Sequence, residues 1–181
     1  NQSMDKRIVK TRTAIFNAVF EISADKDLDK ISVVELCEKA GINKSTFYLH
    51  YTSIDDCFQK CFGFFTDKIL KLSESIDYTD VANAPEETVD KMLDVVEDNM
   101  ELILKFKNSV LYDNSVRILK QKFLVSLCEA NNLNIHDNYH QVSKLTFLIG
   151  GCVDAITQNL PEFDKEELRN IMVNAIKRKK Y

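Results

Sequence analysis

Tryptophan is absent from this 181-residue chain, and glycine (4), proline (2) and histidine (3) are scarce. So few helix breakers, beside long amphipathic runs, leave an all-α fold as the expectation. No apolar run is long enough to span a bilayer. The N-terminal Asn1–Arg7 stretch has no apolar segment behind it of the kind a secretory signal needs. No G-x-S-x-G, P-loop, dinucleotide fingerprint or H-E-x-x-H occurs, so no enzymatic activity is expected. The five cysteines, Cys37, Cys57, Cys61, Cys128 and Cys152, are odd in number and lie in apolar helical contexts. They form no disulfide framework and fit a reducing, cytoplasmic setting. Cys57 with Cys61, and His136 with His140, each offer two metal ligands on one helix face, but no third ligand is evident. Neither a metal nor another cofactor is expected.

What is present begins with charge. The net charge is -4, yet its distribution is uneven. Residues 1–51 carry +1 and residues 52–181 carry -5. Lys6, Arg7, Lys10 and Arg12 cluster near the N-terminus, where they can follow a phosphate backbone or simply be solvated. The closing run Lys177-Arg-Lys-Lys180 better complements a helix C-terminus than nucleic acid.

Residues 32–51 are the most informative. Ser32 with Glu35 reads as a capping box opening a helix that runs to about Lys39. Gly41 follows, where a left-handed residue can end that helix. Ile42 is apolar and suits the corner, Asn43 can cap a second helix, and Phe47 would be its buried side. Two short helices joined by a three-residue turn are the shape of a helix-turn-helix. Asn43, Lys44, Ser45, Thr46 and Tyr48 sit near the start of the second helix. They offer charge, hydroxyls, an amide and a ring to phosphates and base edges. The alternative on spacing alone is an ordinary helical hairpin with a solvated polar face.

The residues around this motif resemble the DNA-binding domain of TetR-type transcriptional regulators. Matching pieces occur in order: Thr11-Arg-Thr-Ala-Ile-Phe-Asn-Ala18, Ile31-Ser-Val-Val-Glu-Leu36, Ala40-Gly-Ile-Asn-Lys-Ser-Thr-Phe-Tyr48, His50-Tyr51 and Ser53-Ile-Asp-Asp56. The wording of Phe47–Tyr51 is similar to the branch that includes regulators of dihydroxyacetone kinase operons. The resemblance implies that Lys44, Thr46, Tyr48 and Tyr51 contact double-stranded DNA, with Ser32 and Thr13 on phosphates and Asn43 and Ser45 as further contacts. Two departures lower the positive field. Ile54 stands where the family often has Lys, and Asp25–Lys30 stands where it often has Gly.

Beyond the motif, periodic stripes predict helices over about 5–24, 53–74, 85–104, 116–127, 137–159 and 164–176, with a short helix near 107–114. That makes about nine helices. They divide into a three-helix helix-turn-helix domain at 1–52 and a helical effector-binding and dimerisation bundle at 53–181. Gly150 and Gly151 fall inside a helix, at roughly 1 kcal/mol each against Ala, so a close neighbour or a kink is expected there. The resemblance implies that the last two helices pair two subunits, through Gly150, Gly151, Val153, Leu168, Ile171, Met172 and Ala175. It also implies a pocket for an unidentified small-molecule effector. Candidates to line it are Phe62, Phe65, Met92, Met100, Phe106, Tyr112, Phe123 and Phe147, which at helical spacing also fit a plain core. The expected protein is a homodimeric, ligand-responsive DNA-binding regulator, a repressor acting on a palindromic operator. Its alternatives are an activator of the same fold and a helical adaptor that binds protein instead of DNA.

Overall fold

The structure, a computed structural model, describes the backbone of residues 2–177 and the side chains from Lys6 onward, Phe64 and Phe65 excepted. The proposed pocket residue Phe65 and the end of the basic run after Lys177 therefore lie outside the described residues. Ten α-helices and one 3-10 turn are present among the described residues, and no strand. This is the all-α class expected, with more breaks than expected. The helices are α1 (Gln2–Ser23), α2 (Val33–Ala40), α3 (Lys44–Tyr48), α4 (Ile54–Glu74), α5 (Tyr78–Asn83), α6 (Glu86–Asp98), α7 (Met100–Lys107), α8 (Tyr112–Ala130), α9 (Tyr139–Thr157) and α10 (Lys165–Ile176). The stretch read as one helix over 85–104 divides at Asn99. The Asn99 side-chain amide donates to the Val95 carbonyl at 2.6 Å, so the residue competes with the helix it would otherwise continue.

The chain forms two compact units. Unit 1 comprises residues 1–65 and 101–115, and unit 2 the remainder. The boundary falls inside α4 rather than at residue 52, and unit 1 recruits α7 from far along the chain. Aromatic packing is the reason. Phe20 sits with its ring centroid 4.6 Å from Phe16, 4.8 Å from Phe106 and 5.9 Å from Phe58. Phe62 and Tyr112 close the cluster on Phe106 at 5.7 and 5.6 Å. Such edge and tilted contacts add to the area each ring buries. Ile15, Val19, Leu36, Phe47 and Cys57 are wholly buried in the same unit. The Val110 amide donates to the Ser23 carbonyl at 3.0 Å, fastening the segment after α7 to the end of α1.

Unit 2 is organised by α10, which packs on α6 and α9. Asp164 caps α10 by accepting from the Glu167 amide at 3.0 Å, as its sequence spacing predicts. A row of charges joins α10 to α6. Lys165 reaches Asp94 at 2.7 Å and Lys177 reaches Glu86 at 2.6 Å, while Arg169 grips both carboxylate oxygens of Asp90. Each pair is partly exposed, so its individual contribution is small, and the row fixes the register of the two helices more than it stabilises them. Leu93, Val89, Pro85 and Met172 fill the wholly buried interior beneath it. No helix of the described residues is long and apolar enough to cross a membrane.

Candidate nucleic-acid interface

The turn between α2 and α3 is built by three local devices. Ser32 accepts the Glu35 amide hydrogen at 3.1 Å, which starts α2. The other half of the expected capping box is not made that way, because the Glu35 carboxylate pairs with Lys26 at 2.6 Å. Gly41 ends α2 with φ of 65° and ψ of 37°, the left-handed region in which a Cβ is strained. The Ile42 amide donates back to the Cys37 carbonyl at 3.0 Å, satisfying a helix-end acceptor.

A Cβ at position 41 would meet nothing within 4 Å, so only its backbone conformation resists substitution. Gly41→Ala is accordingly expected to cost roughly 1–2 kcal/mol in urea unfolding, with Gly41→Asn costing less. Equal stability of the Ala variant would mean that the turn does not hold this conformation.

Asn43 then caps α3 with one oxygen. Its Oδ1 accepts from the Thr46 amide and the Thr46 hydroxyl, both at 2.8 Å, and from the Ser45 hydroxyl at 2.7 Å. The Asn43 oxygen is thereby committed to building α3 rather than to reading a base. Ser45 and Thr46 spend their protons on Asn43, so their oxygens retain only acceptor capacity, of the kind that suits the amino groups of cytosine and adenine. Phe47 is wholly buried and holds α3 from beneath. Lys44 and Tyr48 are exposed, Tyr48 by 57%. Thr13 on α1 and Ser32 before α2 are exposed as well.

Tyr51 departs from its expected role. It is only 7% exposed, with its ring 5.5 Å from Phe47 and its hydroxyl hydrogen-bonded to the Cys61 thiol. Burial, then the neighbouring thiols, push its pKa well above the ordinary phenol range, so it stays protonated. Lys60 lies over the ring at 5.8 Å and also pairs with Asp56 at 3.0 Å. Tyr51 therefore supports the surface rather than forming it. Ile54, in the place where a phosphate-binding Lys was missed, is likewise buried. Sequence reasoning passed over Leu49. It directly follows α3 and is 80% exposed, a side chain suited to thymine methyl groups. Its signal was its position off the Phe47 stripe and next to Tyr48.

The other expected residues fall in separate places. Phe62 and Tyr112 pack on Phe106 in the unit 1 aromatic cluster, and none of the three is among the residues that line the unit 2 cavity. Met92 and Phe123 do line a cavity in unit 2 of about 210 Å³. Met100, at the start of α7, does not line it. Phe147 is 79% exposed on α9 and points away from any core. Of the expected pairing residues, Leu168 and Met172 are buried in the chain's own interior, since that face of α10 packs on unit 2. Ile171, Ala175 and Gly151 face outward, and Gly150 and Val153 are half-buried. The close neighbour expected at Gly150 and Gly151 is not within this chain, since a Cβ at either would meet nothing within 4 Å. Among the described residues no group of three or more metal-ligating side chains is brought together.

Two short capped helices joined by a left-handed turn, the second presenting a polar face, have the arrangement of a helix-turn-helix. Residues 15–61 match the model of the family described as bacterial regulatory proteins, tetR family. The chain is 29% identical over 87 residues to the uncharacterized HTH-type transcriptional regulator YxbF of Bacillus subtilis (strain 168). That match covers 48% of this chain and 21% of YxbF, so it spans about a fifth of that relative's length. The fold extends further. A TetR-like transcriptional regulator from Rhodococcus sp. RHA1 superposes with a TM-score of 0.58 at 15% identity, covering 92% of this chain and 93% of that one. A TetR transcriptional regulator from Streptococcus agalactiae 2603V gives 0.56 at 20% identity, covering 98% and 99%. Both likenesses concern the fold over almost the whole chain.

Proposed function

We propose that this chain is a cytoplasmic, homodimeric transcriptional regulator, a repressor that releases a palindromic operator when an effector binds unit 2. The observation that carries the reading is the α3 face: Lys44, Tyr48 and Leu49 exposed, with Phe47 and Tyr51 buried beneath them. The exposed basic residues Lys6, Arg7, Lys10 and Arg12 on α1 add positive charge for contacts to the DNA backbone. Two copies would place their α3 helices in successive major grooves about 34–36 Å apart. The wording of Phe47–Tyr51 is the feature that favours the branch containing regulators of dihydroxyacetone kinase operons.

Selection of bound duplexes from a random pool tests the proposal. The expected product is a two-fold symmetric site whose affinity falls steeply and linearly with log salt. A pool that yields no preferred duplex, or binding that ignores salt, would favour the protein-adaptor alternative. The sign of regulation is read by deleting the protein in a reporter strain: expression rises for a repressor and falls for an activator.

An outward stripe supports the homodimer. Phe147 and Gly151 are one turn apart on α9, and Ile171 and Ala175 one turn apart on α10. Ile171 is 50% exposed, and Gly151 would let a second backbone approach closely. Phe147→Glu with Ile171→Glu should convert a dimer to a monomer in sedimentation while leaving the helical circular dichroism intact. A particle of unchanged mass would remove this face from the pairing. An effector acts on the operator only through its differential affinity for two states, typically about 1–3 kcal/mol.

A further inference from the structure

The unit 2 cavity has a definite chemistry. Its walls come from α5, α6, α8, α9 and the end of α10, with Met92, Phe123, Leu127, Leu145 and Leu148 among them. Phe123 and Leu127 are buried and form its floor, whereas His140 and Lys144, also lining it, are exposed and so stand at its mouth. None of the lining residues is acidic. The Lys144 and His140 side chains make no ion pair or hydrogen bond among the described residues, although another lysine of unit 2, Lys120, is paired with Asp154. The amides of the first turn of α9, next to His140, add the same sign, since Asn138 caps that helix without a side-chain bond. Cys152 lines the cavity as a neutral thiol, its pKa pushed up to about 11 by burial, so it neither repels an anion nor captures a ligand covalently. An apolar cavity of about 150 Å³ admits benzene, so about 210 Å³ accommodates a body somewhat larger than one ring or a short chain.

We propose that this cavity binds a small amphiphilic carboxylate, with an aromatic or medium-length aliphatic body against Phe123 and Leu127 and its carboxylate at Lys144 and His140. The assignment rests on the regulator reading only for its consequence, the release of DNA. The binding itself stands on the cavity. An apolar body without the charge leaves Lys144 unmatched, and a cationic amphiphile places like charge against it. Hydrogen bonds to a charged partner are the stronger kind, so the carboxylate separates from its neutral isostere by roughly tenfold or more.

Calorimetry on the full chain with octanoate, phenylacetate, octanamide and octylamine tests this. Octanoate or phenylacetate should bind saturably, with octanamide at least about tenfold weaker and octylamine weaker still. Lys144→Gln should bring the carboxylate down to the level of the amide, and Lys144→Arg should restore it. Because Lys144 is exposed, both variants should fold with unchanged melting temperature. The proposal is overturned if neither carboxylate binds, if octanamide or octylamine binds as tightly, or if Lys144→Gln leaves the carboxylate affinity intact. Duplex binding by the ligand-free samples is measured alongside. Retained duplex binding without carboxylate binding sinks the ligand class alone, while carboxylate binding by a protein that ignores duplexes upholds the cavity and sinks the regulator reading.

Discussion

Alanine at Lys44 is expected to weaken duplex binding across all sequences and to reduce the salt slope by about one phosphate contact per subunit. Alanine at Tyr48 is expected to cost about ten- to a hundredfold at the selected site and to relax preference at the bases beneath the ring. The two substitutions together should leave only non-specific binding, since the proposed dimer would lose each contact twice. The physical reason lies in how α3 is made. Asn43 is occupied with three capping hydrogen bonds, and Ser45 and Thr46 present acceptors only. Lys44 is then the charge at the front of the helix, and Tyr48, 57% exposed, is its large exposed ring. Neither side chain is buried, so stability should move by no more than about 0.5 kcal/mol. Anisotropy titrations over a salt series, with urea unfolding on the same proteins, separate lost contact from lost fold. Unchanged specific affinity after both substitutions would take this helix off the DNA.

Phe47→Ala is expected to have the opposite signature. The ring is wholly buried, 5.3 Å from Tyr48 and 5.5 Å from Tyr51, and α3 is only five residues long. A helix so short cannot persist by its own hydrogen bonds, so packing on Phe47 is what keeps it formed. Removing a buried Phe ring typically costs about 3–5 kcal/mol, a large share of the stability of a small domain. Urea unfolding should show that loss, and duplex binding should vanish because the surface itself is gone. Phe47→Leu should recover part of both. A Phe47→Ala protein with near-native stability would mean that α3 is held by something other than this ring.

The parts legible in the sequence are those that local chemistry decides. Ser32, Gly41, Asn43 and Asp164 act within a few residues of themselves, so their caps and turns could be read from spacing, and the structure keeps all four. The aromatic cluster was not legible. Phe20, Phe58, Phe106 and Tyr112 are far apart in the chain, and nothing in a helical stripe says which partner it meets. For that reason the pattern alone does not join Phe106 and Tyr112 to Phe20, nor show that the first compact unit runs on into α4. Tyr51 failed for a different reason. A tyrosine at the end of a recognition helix reads as a contact, and only the packing of Phe47, Cys61 and Lys60 reveals a support. On α10 the periodicity placed Leu168, Ile171 and Met172 in one stripe. The helix divides them between its buried and outward faces, because its turn separates residues three and four apart by enough to straddle an edge.

The most direct test is covalent labelling of side chains with and without the selected duplex. The account predicts that the Lys44 amine and the Tyr48 ring become protected at saturating duplex, while Lys144 in unit 2 labels at the same rate in both states. Equal labelling of Lys44 and Tyr48 in the free and duplex-bound protein would contradict it.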